Sequence, residues 1–207
     1  MKITNLLCKS LFILIIFISF ISCKPKTSDI ETDDFCVTYD GRPEQSISYK
    51  EMAIMLAQYQ ATREPILKNG LGFEDTREVW FQIDSLKKYL AYVEKLSKDS
   101  GVEITGFNFI SAAYPDKPIY GNQKNYQTLI LNPTTTKGDN PRVSFDPLYS
   151  TNGNPAFVSD LLLPYLSEID SLTYSKKDVK KYIVNLMEGL EDTPSSAMNK
   201  GQGSPPN

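Results

Sequence analysis

Apolar positions crowd the start of the chain and then thin into helical and strand-like rhythms. Lys2 and Lys9 precede a near-unbroken apolar run from Leu11 to Ser22, the order of a secretory signal: basic region, apolar region, small residue. The run holds about a dozen apolar residues, short of the roughly 20 that span a bilayer. Residues 24–34 carry almost no apolar side chain and read as a solvated tether. Helical periodicity begins at Ser48-Tyr-Lys-Glu51, a capping box in which serine and glutamate satisfy each other's orphan amides. Met52, Met55, Leu56 and Tyr59 then recur on one stripe, Pro65 interrupts, and Asn69-Gly70 with Gly72 closes the segment.

A second helix is expected from a cap at Asp84 to a stop at Gly101. Leu86, Tyr89, Leu90, Val93 and Leu96 form its inward stripe, while Lys87, Lys88, Glu94, Lys95 and Lys98 fall largely off it. Strands are expected at Val79–Ile83, Glu103–Tyr114, Tyr126–Leu131 and Arg142–Phe145. The polar loop Pro115–Asn125 suggests that the long strand and its successor are antiparallel neighbours. Residues 156–172, with Leu161-Leu-Leu163 and Pro164, fit a strand or a short helix. A third helix runs from near Ser175 or Asp178 to Leu190, with Val179, Tyr182, Ile183, Leu186 and Met187 inward. Residues 191–207 are rich in proline, glycine and serine and read as a disordered tail. The expected fold is therefore α+β: one mainly antiparallel sheet of about four strands, with helices packed mostly on one face. The domain plan is signal peptide 1–22, tether 23–35, a single globular domain 36–190 and tail 191–207.

Composition narrows the chemistry. The net charge of −3 falls further once Lys2 and Lys9 leave with the signal, and no basic cluster marks a nucleic-acid footprint. The chain has no histidine, which removes Ser-His-Asp, Cys-His and histidine-zinc sites. Of three cysteines, Cys8 lies in the signal and Cys23 directly follows it, leaving Cys36 without an intrachain partner. Between Phe35 and Val37, Cys36 reads as a small buried hydrophobe.

Phe20-Ile21-Ser22-Cys23 resembles the lipobox of bacterial lipoproteins. The resemblance implies that Cys23 is acylated and becomes the first residue of the mature chain, anchored by several lipid chains. Lys24 differs from the aspartate associated with inner-membrane retention, so an outer-membrane address is expected, facing periplasm or cell surface. A second resemblance rests on Val79-Trp80-Phe81, the helix with Leu86, Tyr89, Leu90 and Tyr92-Val93, then Gly106 and Ala112-Ala113-Tyr114-Pro115. Over roughly residues 76–135 the chain is similar to small hypothetical lipoproteins of Bacteroidota, which imply no activity.

Each catalytic pattern meets a plainer explanation. Ser85-Leu-Lys-Lys88 spells the S-x-x-K of penicillin-binding proteins and β-lactamases, but no S-D-N or K-T-G accompanies it, and Ser85 reads as a first-turn residue. The acid pairs Glu74-Asp75, Asp33-Asp34 and Glu191-Asp192 have no visible geometry for glycoside hydrolysis. Asp146 to Asn154 is oxygen-rich but lacks the calcium-loop order and its closing glutamate, so Asn152-Gly153 reads as a turn tip. No catalytic residue, metal site or cofactor is expected.

What remains is aromatic density in polar loops: Tyr114, Tyr120 and Tyr126 around the 115–125 loop, with Asn122, and Tyr149 beside the Asn-Gly turn. Tyrosine offers a flat apolar face with a polar tip, suited to recognising protein or sugar, although Tyr114 and Tyr126 also end strands and can simply pack. The expectation is a lipid-anchored, non-enzymatic envelope protein that meets the membrane through its lipid, binds a protein or glycan partner through these tyrosines, and does not bind nucleic acid. The alternatives are an immunity or inhibitor lipoprotein that binds a toxin, and a carboxylate-based envelope hydrolase.

Overall fold

The structure, a computed structural model, describes residues 41–166 and 193–204. The signal segment, the tether, Cys23, Cys36 and the expected helix ending at Leu190 lie outside the described residues. Within them the chain is α+β, built from four α-helices, a three-stranded antiparallel sheet and a two-stranded one.

Helix α1 (Tyr49–Thr62) starts as its sequence dictates. The Ser48 Oγ accepts the Glu51 amide at 3.2 Å and the Ser48 amide donates to the Glu51 carboxylate at 2.7 Å. The Ser48 amide and the Ser48 hydroxyl, which donates to the same carboxylate oxygen at 2.8 Å, hold the Glu51 carboxyl below its usual pKa. Helix α2 (Glu64–Leu71) follows directly, with Pro65 in its first turn, where the missing amide costs nothing. The apolar stripe expected to be buried on α1 is a correction: Met52, Met55 and Leu56 are exposed. Only Tyr59 gains cover, from the Arg77 guanidinium 4.8 Å from its ring centre.

Strand β1 (Glu78–Trp80) is shorter than expected because Gln82, not Asp84, caps the next helix. The Gln82 side chain accepts the Ser85 amide and hydroxyl, both at 2.8 Å, which makes Ser85 a first-turn residue. Helix α3 (Ile83–Ser100) ends where Gly101 turns left-handed at φ 70°. Its Tyr89 and Val93 form the core with Leu131, and Leu86 and Leu90 pack against them half-buried. Glu94, expected to face solvent, is buried instead; Lys98, one turn on, brings its Nζ to 3.5 Å from the Glu94 Oε1.

Strands β2 (Gly106–Ala113), β3 (Gln127–Lys137) and β4 (Asn140–Ser144) form the larger sheet in that order. The antiparallel β2–β3 pairing is as expected, with Ile110 opposite Ile130. A 3-10 segment (Pro118–Gln123) occupies the connecting loop. Strand β3 runs past Pro133, which periodicity alone would take as a stop. The proline sits opposite Phe107, and its carbonyl still accepts the Phe145 amide at 3.1 Å. Helix α4 (Val158–Leu166), with Pro164 inside it, makes the described part of 156–172 a helix and not a strand.

The single four-stranded sheet is corrected to two sheets. Strand β1 pairs not with the long strands but with β5 (Gln202–Ser204), Val79 opposite Gly203. A three-residue segment such as 78–80 has too few ladder bonds to stand alone, so it persists where a partner strand is supplied. That partner lies in the segment whose composition suggested disorder. Residues 193–204 run along the domain, held largely by main-chain hydrogen bonds, with Met198 packed against the core cluster.

Candidate functional site

The tyrosines singled out in the sequence divide into three local arrangements. Tyr114 and Tyr120 stack, with ring centres 5.1 Å apart and planes tilted by 34°. The hairpin brings this about: the Tyr114 amide donates to the Tyr126 carbonyl at 3.1 Å, closing the loop whose 3-10 segment carries Tyr120 back over the strand. Asn122 is exposed on that same segment. Tyr126 packs edge-on against Phe73, with ring centres 5.0 Å apart. Tyr149 stands on the 145–154 turn and stays partly exposed.

Two of these tyrosines engage the same object, the C-terminal segment. The Tyr114 hydroxyl donates to the Asn199 side-chain carbonyl at 3.0 Å, and the Tyr149 hydroxyl donates to the Pro194 carbonyl at 2.6 Å. Around them the domain supplies further anchors. The Thr128 hydroxyl donates to the same Asn199 oxygen at 3.1 Å. The buried Asp146 carboxylate accepts the Ser196 amide at 3.0 Å with one oxygen and the Leu148 amide at 2.9 Å with the other. Leu131 and Met198 exchange both main-chain bonds, at 2.8 and 3.0 Å.

The geometry is that of an added strand. Strand β4 pairs with β3 from Thr134 to Lys137, and Phe145 extends the contact to Pro133. Beyond Pro133, Met198 takes over at Leu131. At Gln127 the amide is capped by the Asp75 carboxylate at 2.8 Å. A bare strand edge invites pairing with other chains; here it is covered by the chain's own segment. The segment then continues to β1. Gly201 is the tight point of the path: a Cβ there would lie 2.4 Å from Val79 Cγ1 and 2.7 Å from the Phe81 ring. No larger residue fits without moving the wall.

Sequence reasoning missed Asn199, Gly201, Met198 and Asp146 as members of this arrangement. Asp146 stood out only as the start of an oxygen-rich segment that lacks the calcium-loop order and reads as a turn. The loop it opens is instead closed by its own bonds: the Ser150 hydroxyl donates to the Asp146 carbonyl at 2.8 Å, and Asn152 and Gly153 turn with φ of 50° and 76°. Among the described residues no three or more acids or cysteines come together to hold a metal.

The acidic residues gather at a second place, a notch lined by Tyr59, Glu64, Leu67, Glu74, Asp75 and Arg77, with room of about 10 Å³, enough for one water molecule. Its carboxylates are already partnered. Glu64 meets Arg77 at 2.7 Å, Glu74 meets Lys68 at 2.6 Å, and Asp75 accepts the Thr76 and Gln127 amides. Such an arrangement braces α2 against the start of β1 and leaves no free pair for acid–base work in the notch.

No protein-family model, curated protein or solved structure matches the chain.

Proposed function

We propose that this chain is a lipid-anchored bacterial envelope protein whose domain works by binding rather than by catalysis. The observation that carries the reading is Phe20-Ile21-Ser22-Cys23 at the end of a basic-then-apolar leader. Acylation of Cys23 attaches the mature chain to the outer membrane, and residues 23–35 form the tether between lipid and domain. Several acyl chains on one cysteine, at about 0.8 kcal/mol per buried methylene, make such an anchor stable.

Binding is favoured by how the domain spends its polar side chains. Tyr114, Thr128, Asp146 and Tyr149 all direct hydrogen bonds at a chain segment, and the clustered acids of the notch are neutralised by cations and amides.

Metabolic labelling with an alkyne fatty acid, followed by fractionation, tests the reading. The wild-type chain should take up label and sediment with the outer membrane, and Cys23→Ala should lose the label. A Cys23→Ala chain that remains membrane-bound at unchanged size would overturn the lipoprotein assignment.

A further inference from the structure

The segment 193–204 is held as a ligand is held. Most of its anchors address main-chain atoms: the Pro194 carbonyl, the Ser196 amide, both polar groups of Met198 and the β5 backbone opposite β1. Main-chain bonds of this kind accept any extended chain, and pockets for particular side chains add selectivity. Two selective points are present. The Asn199 carbonyl oxygen receives two hydroxyl donors, and Gly201 lies where no Cβ fits. Met198 supplies an apolar contact to the core cluster. Along the rest of the path Thr193, Pro194, Ser195, Lys200 and Gln202 are exposed, and of these Thr193 accepts the Tyr165 hydroxyl through its own hydroxyl at 3.1 Å.

The geometry points to an extended-peptide binding site along the edge of β3 and across to β1, filled in cis by residues 193–204. When that segment leaves, the Leu131 and Val79 backbones and the Asp146 carboxylate become free to take another extended peptide of the pattern Asn-x-Gly, entering by strand addition. The segment is then an internal competitor: a peptide from outside binds in proportion to the fraction of molecules whose own segment has come away. This deepens, and rests on, the reading of the domain as a binding module; it does not depend on the lipid.

The test uses the full-length chain in detergent, so that membrane attachment plays no part, and a fluorescent synthetic peptide of residues 193–204. Gly201→Val in the protein pushes its own segment out, and Ser196→Pro does so at a different anchor by removing the amide that Asp146 accepts. Both variants should bind the wild-type peptide at least about tenfold more tightly than the wild-type protein does. A peptide carrying the Gly201→Val change should not bind any of the three. Added wild-type peptide should also raise the melting temperature of both variants, since it binds only the folded state.

Folded variants that ignore the peptide would overturn the proposal. Variants that stay unfolded in its excess would overturn it too, because the segment would then be part of the core and not a ligand. Either failure leaves the labelling of Cys23 unaffected, so the two readings fall separately.

Discussion

The Tyr89 hydroxyl donates a 2.8 Å hydrogen bond to the Leu131 carbonyl, in the interior between α3 and β3. The same carbonyl accepts the Met198 amide at 3.0 Å, so helix, sheet and C-terminal segment meet at one oxygen. Burial, reinforced by the nearby Asp146 charge, pushes the Tyr89 phenol well above its ordinary value. The folded state therefore keeps its proton at pH values where the unfolded chain releases it. This contribution to stability is complete below the unfolded value of about 10 and declines as pH rises beyond it.

Urea titrations at neutral and alkaline pH should show that decline, and Tyr89→Phe should flatten it. At neutral pH the same variant should lose about 0.5–1.5 kcal/mol, since Met198 still satisfies the carbonyl. An alkaline slope unchanged in Tyr89→Phe would mean that another group is responsible.

The core has a graded prediction. Leu131 is 1% exposed and touches Tyr89 and Val93, so Leu131→Ala should cost about 2–5 kcal/mol. Leu90 is only half-buried at the margin of that cluster, and Leu90→Ala should cost clearly less, about 2 kcal/mol or below. Denaturant midpoints that rank the two the other way would reverse the inward face of α3.

The 115–125 loop divides into a packed and a free residue. Tyr120 stacks on Tyr114, so Tyr120→Ala should lose about 0.5–1.5 kcal/mol of aromatic pairing. Asn122 is exposed, and Asn122→Ala should stay within about 0.5 kcal/mol of wild type. Equal losses for both would show that the 3-10 segment packs as a unit.

Much of the local structure was legible because its causes are local. The Ser48–Glu51 box, the Gly101 stop and the 3.6-residue stripe of α3 each depend on residues a few positions apart. The hairpin between β2 and β3 followed from alternation and one polar loop. What sequence did not reveal depends on distant pairings. Strand β1 exists through β5, more than 120 residues later, and neither segment's composition announces the other. Gly201 looks like any glycine of a flexible tail until Val79 and Phe81 are seen to close on it. The tyrosines stood out in the sequence, but their hydrogen-bond partners did not: Tyr114 and Tyr149 reach the chain's own segment, far along the chain. The stripe on α1 failed for the opposite reason, since periodicity shows that a helix has an apolar face but not that anything covers it.

The most direct measurement of the central claim is mass spectrometry of the N-terminal peptide from protein purified out of membranes. The account predicts that the chain begins at Cys23 and that this residue carries a diacylglycerol-sized addition, with no peptide spanning Ser22–Cys23. Recovery of an intact, unmodified peptide through Ser22 and Cys23 would contradict it.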